Sequence, residues 1–271
     1  MQRYLKIIVF QIVDSNQIKK LFQPDCSGKI FSMKKLRNIM VGLLSMVLIL
    51  AITTPVFADG VKGNGKVKTE NRQVSEFSGI KVSGAYTIYL TQSDKCSLKV
   101  VVDENIQDLI KTEVKNKVLY IKNEKSIHHT KKMELYISFK YLRFIKANGA
   151  ISLKNESILK FDELDIEING ASSAKLELSA NKLSIDNSGA SSINLKGKTK
   201  ELNIDISGAG SVNALDLKAS EARIDISGVG SGKVYVEDKL NVSISGIGSV
   251  KYKGDPAVSS DISFLGVLKK I

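Results

Sequence analysis

The chain has 271 residues, with 40 Lys and Arg against 28 Asp and Glu, two Cys, three Pro and no Trp. A quarter of the residues are charged and 43% are hydrophobic, which excludes a disordered tail and a multi-span membrane protein. Aromatic residues make up only 6%, which argues against a carbohydrate groove built from stacked rings.

Residues Met33 to Ala58 have the three parts of a cleavable secretory signal peptide. Lys34, Lys35 and Arg37 precede an apolar run from Ile39 to Ile52, and small residues, Val56 and Ala58, stand at the −3 and −1 positions. The run is short for a bilayer span of about 20 residues; an uncleaved anchor is the alternative. Cleavage is expected before Asp59. No Cys sits at the cleavage site, which argues against a lipid anchor. Residues 1–32 are read as an upstream extension, with Met33 as the true start. Residues 59–271 then hold 32 basic and 26 acidic residues, a net charge of +6, and one cysteine, Cys96. No intramolecular disulfide can form in that chain. The lone Cys reads as a small hydrophobe.

Residues 59–271 are expected to form a single domain. Its first part, 71–140, predicts less regular strands: Ile80 to Val82, Tyr86 to Leu90, Leu98 to Val102, Val118 to Ile121 and Leu135 to Phe139. Asp103-Glu104-Asn105 opens a short helix or turn ending near Ile110.

Residues 141–254 form a repeat. Six blocks read apolar-x-apolar-x-apolar, then Ser or Asn, then Gly149, Gly170, Gly189, Gly208, Gly228 or Gly246. The step from one of these glycines to the next is nearly constant, the mark of a repeat architecture. Ser83-Gly84-Ala85 is an earlier, isolated copy. Leu202-Asn203-Ile204-Asp205-Ile206 shows the period of two that marks a strand with one buried face. A second short strand follows each glycine, as at Val234-Tyr235-Val236, and no room is left for a helix. A β-solenoid of coils roughly 19 residues long uses this pattern, with like positions stacked about 4.8 Å apart. An antiparallel meander would not keep one column of glycines adjacent. The glycine serves either a turn with positive φ or a place where coils crowd too closely for a Cβ. Residues 255–271 depart from the repeat and are read as a C-terminal cap.

Several elements occur together in one order. Phe77-Ser78-Gly79-Ile80-Lys81-Val82-Ser83-Gly84-Ala85 is followed by Tyr89-Leu90-Thr91-Gln92, by Asp103-Glu104-Asn105 and by Ile-Ser-Gly-x-Gly-Ser units at 206–211, 226–231 and 244–249. In these the chain resembles the head GIN domain family, the putative auto-transporter adhesins, over roughly 72–271. The resemblance implies a parallel β-helix-like fold and an adhesin-like role, and brings no catalytic residues. The outer-membrane translocator that such a name suggests is not found in the sequence.

The strongest charge feature is Lys111 to Lys146. It holds Lys111, Lys115, Lys117, Lys122, Lys125, Lys131, Lys132, Lys140, Arg143 and Lys146 against three glutamates, a net +7. It is a candidate face for an anionic ligand. The competing reading is edge protection by lysines. A second feature lies three residues before each repeat glycine, where Lys146, Glu167, Asp186, Asp205, Asp225 and Ser243 recur. Stacked coils would make Glu167, Asp186, Asp205 and Asp225 a ladder that repels itself. It is either a solubilising stripe or a thin ligand set for a cation such as Ca²⁺. His128 and His129 are adjacent and would point to opposite faces, a poor chelating pair.

These features predict an exported, non-enzymatic binding module without a cofactor, adhesin-like, extracellular or held in the envelope. Its expected partner is an anionic envelope polymer or another surface protein. Nucleic acid and a membrane span after signal cleavage are not expected. The alternative is a structural or stress-response component of the envelope that works through protein partners or self-association at open solenoid ends. A polysaccharide-active enzyme is disfavoured by the lack of a convergent acid/base cluster in the sequence.

Overall fold

Alternation of apolar and polar residues builds the core column by column. Ile80, Ile145, Ile166, Ile185, Ile204, Ile224 and Val242 occupy equivalent positions in successive strands, and all are buried. Their neighbours along the chain face outward. The structure, a computed structural model, describes residues 60–263 and 265–271. The signal peptide and the upstream extension lie outside the described residues.

The regular part of the fold starts at β3 (Gly79–Gln92) and resumes at β9 (Phe144–Asn155). It continues through β10 (Leu159–Asn169), β11 (Ala171–Asn187), β12 (Ala190–Ile206), β13 (Ala209–Ile226), β14 (Val229–Ile244) and β15 (Ile247–Lys253), then β16 (Ala257–Ile262) and β17 (Gly266–Lys270). Every pairing among these strands is parallel. The parallel ladder selects the β-solenoid over the antiparallel meander, with about seven turns at a spacing near 19 residues. Two short strands per repeat were expected. Instead β11 to β14 run for 16 to 18 residues each, because ladder bonding continues around the corner. β16 and β17 continue the stack: β16 lies on β14 and β17 on β15, with Gly266 opposite Gly248.

Crowding explains the glycine column. A Cβ on Gly149, Gly170, Gly189, Gly208, Gly228 or Gly246 would run into the carbonyl oxygen of the glycine one coil earlier. Positive φ is an added demand only at the start of the column, at Gly84, Gly149 and Gly170. Of the two reasons expected for these glycines, close approach is therefore the general one.

The first part departs from chain order. It contains β1 (Val61–Lys62), β2 (Val67–Arg72), β4 (Ser97–Asp103), a 3-10 helix (Glu104–Leu109), β5 (Ile110–Lys115), β6 (Val118–Asn123), β7 (Ile127–His128) and β8 (Met133–Phe139). β3 pairs in parallel with β9 along almost its whole length, although five strands and the helix separate them in the chain, so Gly84 lies against Gly149. On its other side β3 carries β6 and β8, also parallel. Residues 118–139 thus form a coil that precedes β3 in the stack but follows it in the chain. β4 and then β2 close this end as antiparallel strands, and β5 does the same beside β6. Capping a parallel edge in this way hides its unpaired backbone groups.

The Asp103-Glu104-Asn105 turn fastens that cap. Asp103 is fully buried and its carboxylate accepts bonds from the Gly65 N–H (2.8 Å) and the Lys131 N–H (3.1 Å). Asn105 accepts from the Asn64 N–H and donates to the Lys62 carbonyl. Two loops far apart in sequence are tied to one turn.

Candidate functional site

The outer faces carry the polar chemistry, because the inward columns are almost wholly aliphatic. Ahead of the glycines, the register stacks Lys81, Lys146, Glu167, Asp186, Asp205, Asp225, Ser243 and Asp261 in one column. The carboxylate ladder expected from the sequence is therefore in register. With the parallel column of Asp165, Ser184, Asn203 and Arg223 it lines a shallow groove of about 670 Å³.

Both ends of the ladder are neutralised. Lys146 pairs with Glu167, and Asn169 donates to the same carboxylate at 2.8 Å. The hydrogen bond from Lys146, with help from Asn169, holds the Glu167 carboxyl below the usual carboxylate range. At the other end the Arg223 guanidinium lies 2.7 Å from Asp225. Between them, partial burial and the stacked charges of Asp186 and Asp225 push the Asp205 carboxyl up, with Arg223 opposing. No group of three or more His, Cys, Asp or Glu among the described residues has the geometry to hold a metal ion.

The ten basic residues of 111–146 are divided among several places. Lys111, Lys115, Lys117 and Lys122 belong to the β5–β6 hairpin, and Lys125 follows it. Asn116 and Lys117 both have positive φ, the mark of a tight two-residue turn. Lys111 lies 3.6 Å from Glu124. Lys131 and Lys132 border a different concavity with Tyr86, Ser152 and Ser172, and Lys132 pairs with Glu134 at 3.3 Å. Lys140 and Arg143 flank the bend between β8 and β9. Lys146 joins the acidic column. Sequence proximity brought together residues that the fold distributes over separate elements.

His128 and His129 are both exposed, with rings edge to face at 5.1 Å. Cys96 is half-buried and free. Among the described residues no helix is long and apolar enough to cross a membrane.

A further column was not singled out from the sequence, although a simple count finds it. The fifth residue after each glycine, from Gly84 onward, reads Tyr89, Lys154, Lys175, Asn194, Asn213, Lys233 and Lys251. The register stacks them and extends the column to Lys269 at one end and to Tyr136 and Lys99 at the other. Beside it runs a hydroxyl column of Thr87, Ser152, Ser173, Ser192, Ser211, Ser231 and Ser249.

The same architecture is found in solved structures. A putative adhesin from Bacteroides fragilis is 29% identical, with a TM-score of 0.73, covering 78% of this chain and 100% of that one. A putative adhesin from Parabacteroides distasonis is 26% identical, with a TM-score of 0.62, and the coverage is 79% and 100%. A structure from the same organism titled putative lipid binding protein is 25% identical, with a TM-score of 0.58 and the same coverage. No curated protein matches the chain. Residues 76–256 match the family model described as putative auto-transporter adhesin, head GIN domain. That span takes in the crossed first coil, the Asp103 turn and all six repeat glycines, and by it the chain belongs to the head GIN domain family.

Proposed function

We propose that this chain is an exported, non-enzymatic binding module of the cell surface or envelope, which presents its solenoid faces to an extended envelope or host ligand. The observation that carries this reading is the repetition of side-chain chemistry at one residue per coil along the outer faces. A repeated row suits a repeating or elongated partner, as on other solenoids. Family membership and the putative-adhesin neighbours support it. The lysines of the β5–β6 hairpin, Lys111, Lys115, Lys117 and Lys122, with Lys125 after it, add attraction toward an anionic partner over distances of about a Debye length.

The test has two parts. Surface proteolysis of intact producing cells should degrade the protein, and the purified protein should be retained on isolated envelope polymers with retention that weakens in salt. A protein protected inside cells, or one retained by no polymer, rejects the reading.

A second reading is a structural envelope component acting through protein partners. It is favoured by an exposed aliphatic column, Val229, Ile247 and Leu265, with each side chain more than half accessible. Concentration-dependent assembly in analytical ultracentrifugation without polymer binding would support it.

A further inference from the structure

The two charged columns differ in how they are balanced. The acidic column has its counter-charges beside it, in Lys146 and Arg223. The column five residues after the glycines forms no such pairs, although Glu156 and Glu177 lie two residues on from Lys154 and Lys175. It contains Lys99, Lys154, Lys175, Lys233, Lys251 and Lys269 and not one carboxylate. None of these six forms an ion pair among the described residues. From Lys154 to Lys269 every member of the column is exposed.

Stacking places Lys154 against Lys175, Lys233 against Lys251 and Lys251 against Lys269, at about the 4.8 Å strand spacing. Like charges opposed in this way repel. Long side chains splay to relieve part of that repulsion, and the rest is available to a partner that brings one negative charge per coil. Asn194 and Asn213 interrupt the lysines, with Asn213 donating to Asn194 at 3.4 Å. They offer amide donors and acceptors in the same row. The serine column alongside offers a hydroxyl per coil, and Ser173 already bonds Ser152 at 3.1 Å.

One end of the row is closed. Tyr89 and Tyr136 stack on each other at 4.7 Å. Lys99 lies over Tyr136 at 4.0 Å and Lys154 over Tyr89 at 5.8 Å. The ring faces are thus taken up by each other and by lysines. They act as an end wall and leave no aromatic face on which a sugar could lie. The row is a polar and cationic track, consistent with the low aromatic content of the chain.

Resting on the binding-module reading, we infer that the Lys154–Lys175–Asn194–Asn213–Lys233–Lys251–Lys269 row and its serine neighbours bind a linear acidic polysaccharide, one charged sugar per coil. An extended glycan advances by about one ring length per residue, close to the coil rise of about 4.8 Å. Its carboxylates would face the lysines, and its ring hydroxyls the Asn and Ser side chains. Such a track spans roughly 30 Å over seven positions.

The experiment measures binding of the purified protein to oligogalacturonates of increasing length, to neutral glucan oligomers and to phosphatidylglycerol vesicles. Two triple variants remove equal charge: Lys233→Gln with Lys251→Gln and Lys269→Gln, and Lys115→Gln with Lys122→Gln and Lys125→Gln. The expected result is affinity for the acidic glycan that rises with length and levels off near seven sugars. The row variant should lose roughly tenfold and the hairpin variant less than about twofold. Equal losses in both variants, binding independent of length, or binding to vesicles in place of glycans overturns the inference and leaves the binding-module reading standing. Failure of the unaltered protein to bind any of these probes or any isolated envelope polymer overturns both.

Discussion

Between Phe144 and Lys253 each coil rests on the previous one through the same contacts, whereas between Gly60 and Arg143 the chain leaves the stack, passes over its first coil and returns on the far side. The regular part is held by repetition: aliphatic columns inside and a glycine column at the turn. The first part is held by particular residues, above all buried Asp103, which ties two loops to the cap. A repeat can share out a defect among equivalent neighbours only where the contact tolerates change. A one-of-a-kind anchor has no neighbour to share it.

The largest effect is expected at the glycine column. In Gly208→Ala the new Cβ would meet the Gly189 carbonyl and the Ser188 carbonyl of the coil below, both of them backbone. A cost of about 3 kcal/mol is expected, read as a fall in the thermal unfolding midpoint. Unchanged stability would mean that the coils can separate there at little cost. Asp103→Ala comes next, at about 2 kcal/mol, because two backbone N–H groups lose their acceptor in a buried place. Its signature should be regional: hydrogen exchange speeds up in β1, β2 and the Lys131 loop and stays slow in β12 and β13. Uniform acceleration would show that the two regions unfold as one.

Gly232→Ala should go the other way. Its Cβ would find Ile224 and Val250 at 3.7 Å, ordinary contact distance, and the substitution stiffens the unfolded chain. A gain of about 0.5 kcal/mol in denaturant unfolding is expected, and a loss would indicate strain at that site. The smallest effect belongs to the acidic column. A raised carboxyl pKa means that the folded state holds the proton more tightly than the unfolded chain. The Asp205 carboxylate therefore costs stability above its raised pKa, and the cost fades as pH falls toward the unfolded value. Asp205→Asn should stabilise by a few tenths of a kcal/mol at neutral pH, less in high salt, and not at all in acid. Glu167 has the opposite sign. Its lowered pKa contributes stability above the ordinary carboxylate range that is lost as pH falls through the lowered value. Glu167→Gln should weaken the fold slightly at neutral pH, and the difference should vanish in acid unfolding curves.

What the sequence showed depended on range. Strand alternation and the glycine period are local signals, and they located the core and the stack of 141–254. The crossed first coil could not be read this way, because Val118 to Ile121 and Leu135 to Phe139 alternate like any other strand. The one hint was the stretch between Gly84 and Gly149, far too long for one coil. Asp103 stood in a recognised turn, but burial and two distant donors are not visible along a chain. The basic segment of 111–146 was found because it is dense in sequence, and the fold spreads it over several elements. The lysine row is the converse. Its members lie a whole coil or more apart, so a sliding count of charge passes over them, and only the register collects them.

Coil length varies a little from one turn to the next, yet the glycine side never shifts. The irregularities in register fall beyond the lysine row, between Asn194 and Lys196 and again between Ala214 and Glu221. The molecule thus has a fixed seam and a slack seam, like a bound book whose pages are cut unevenly at the outer edge. Residues can be added or lost at the outer edge, and the lettering nearest the spine stays aligned. For protein engineering this identifies the bends near Ala214 and Lys218 as places to graft foreign loops, with the rows beside the glycines serving as an undisturbed ruler.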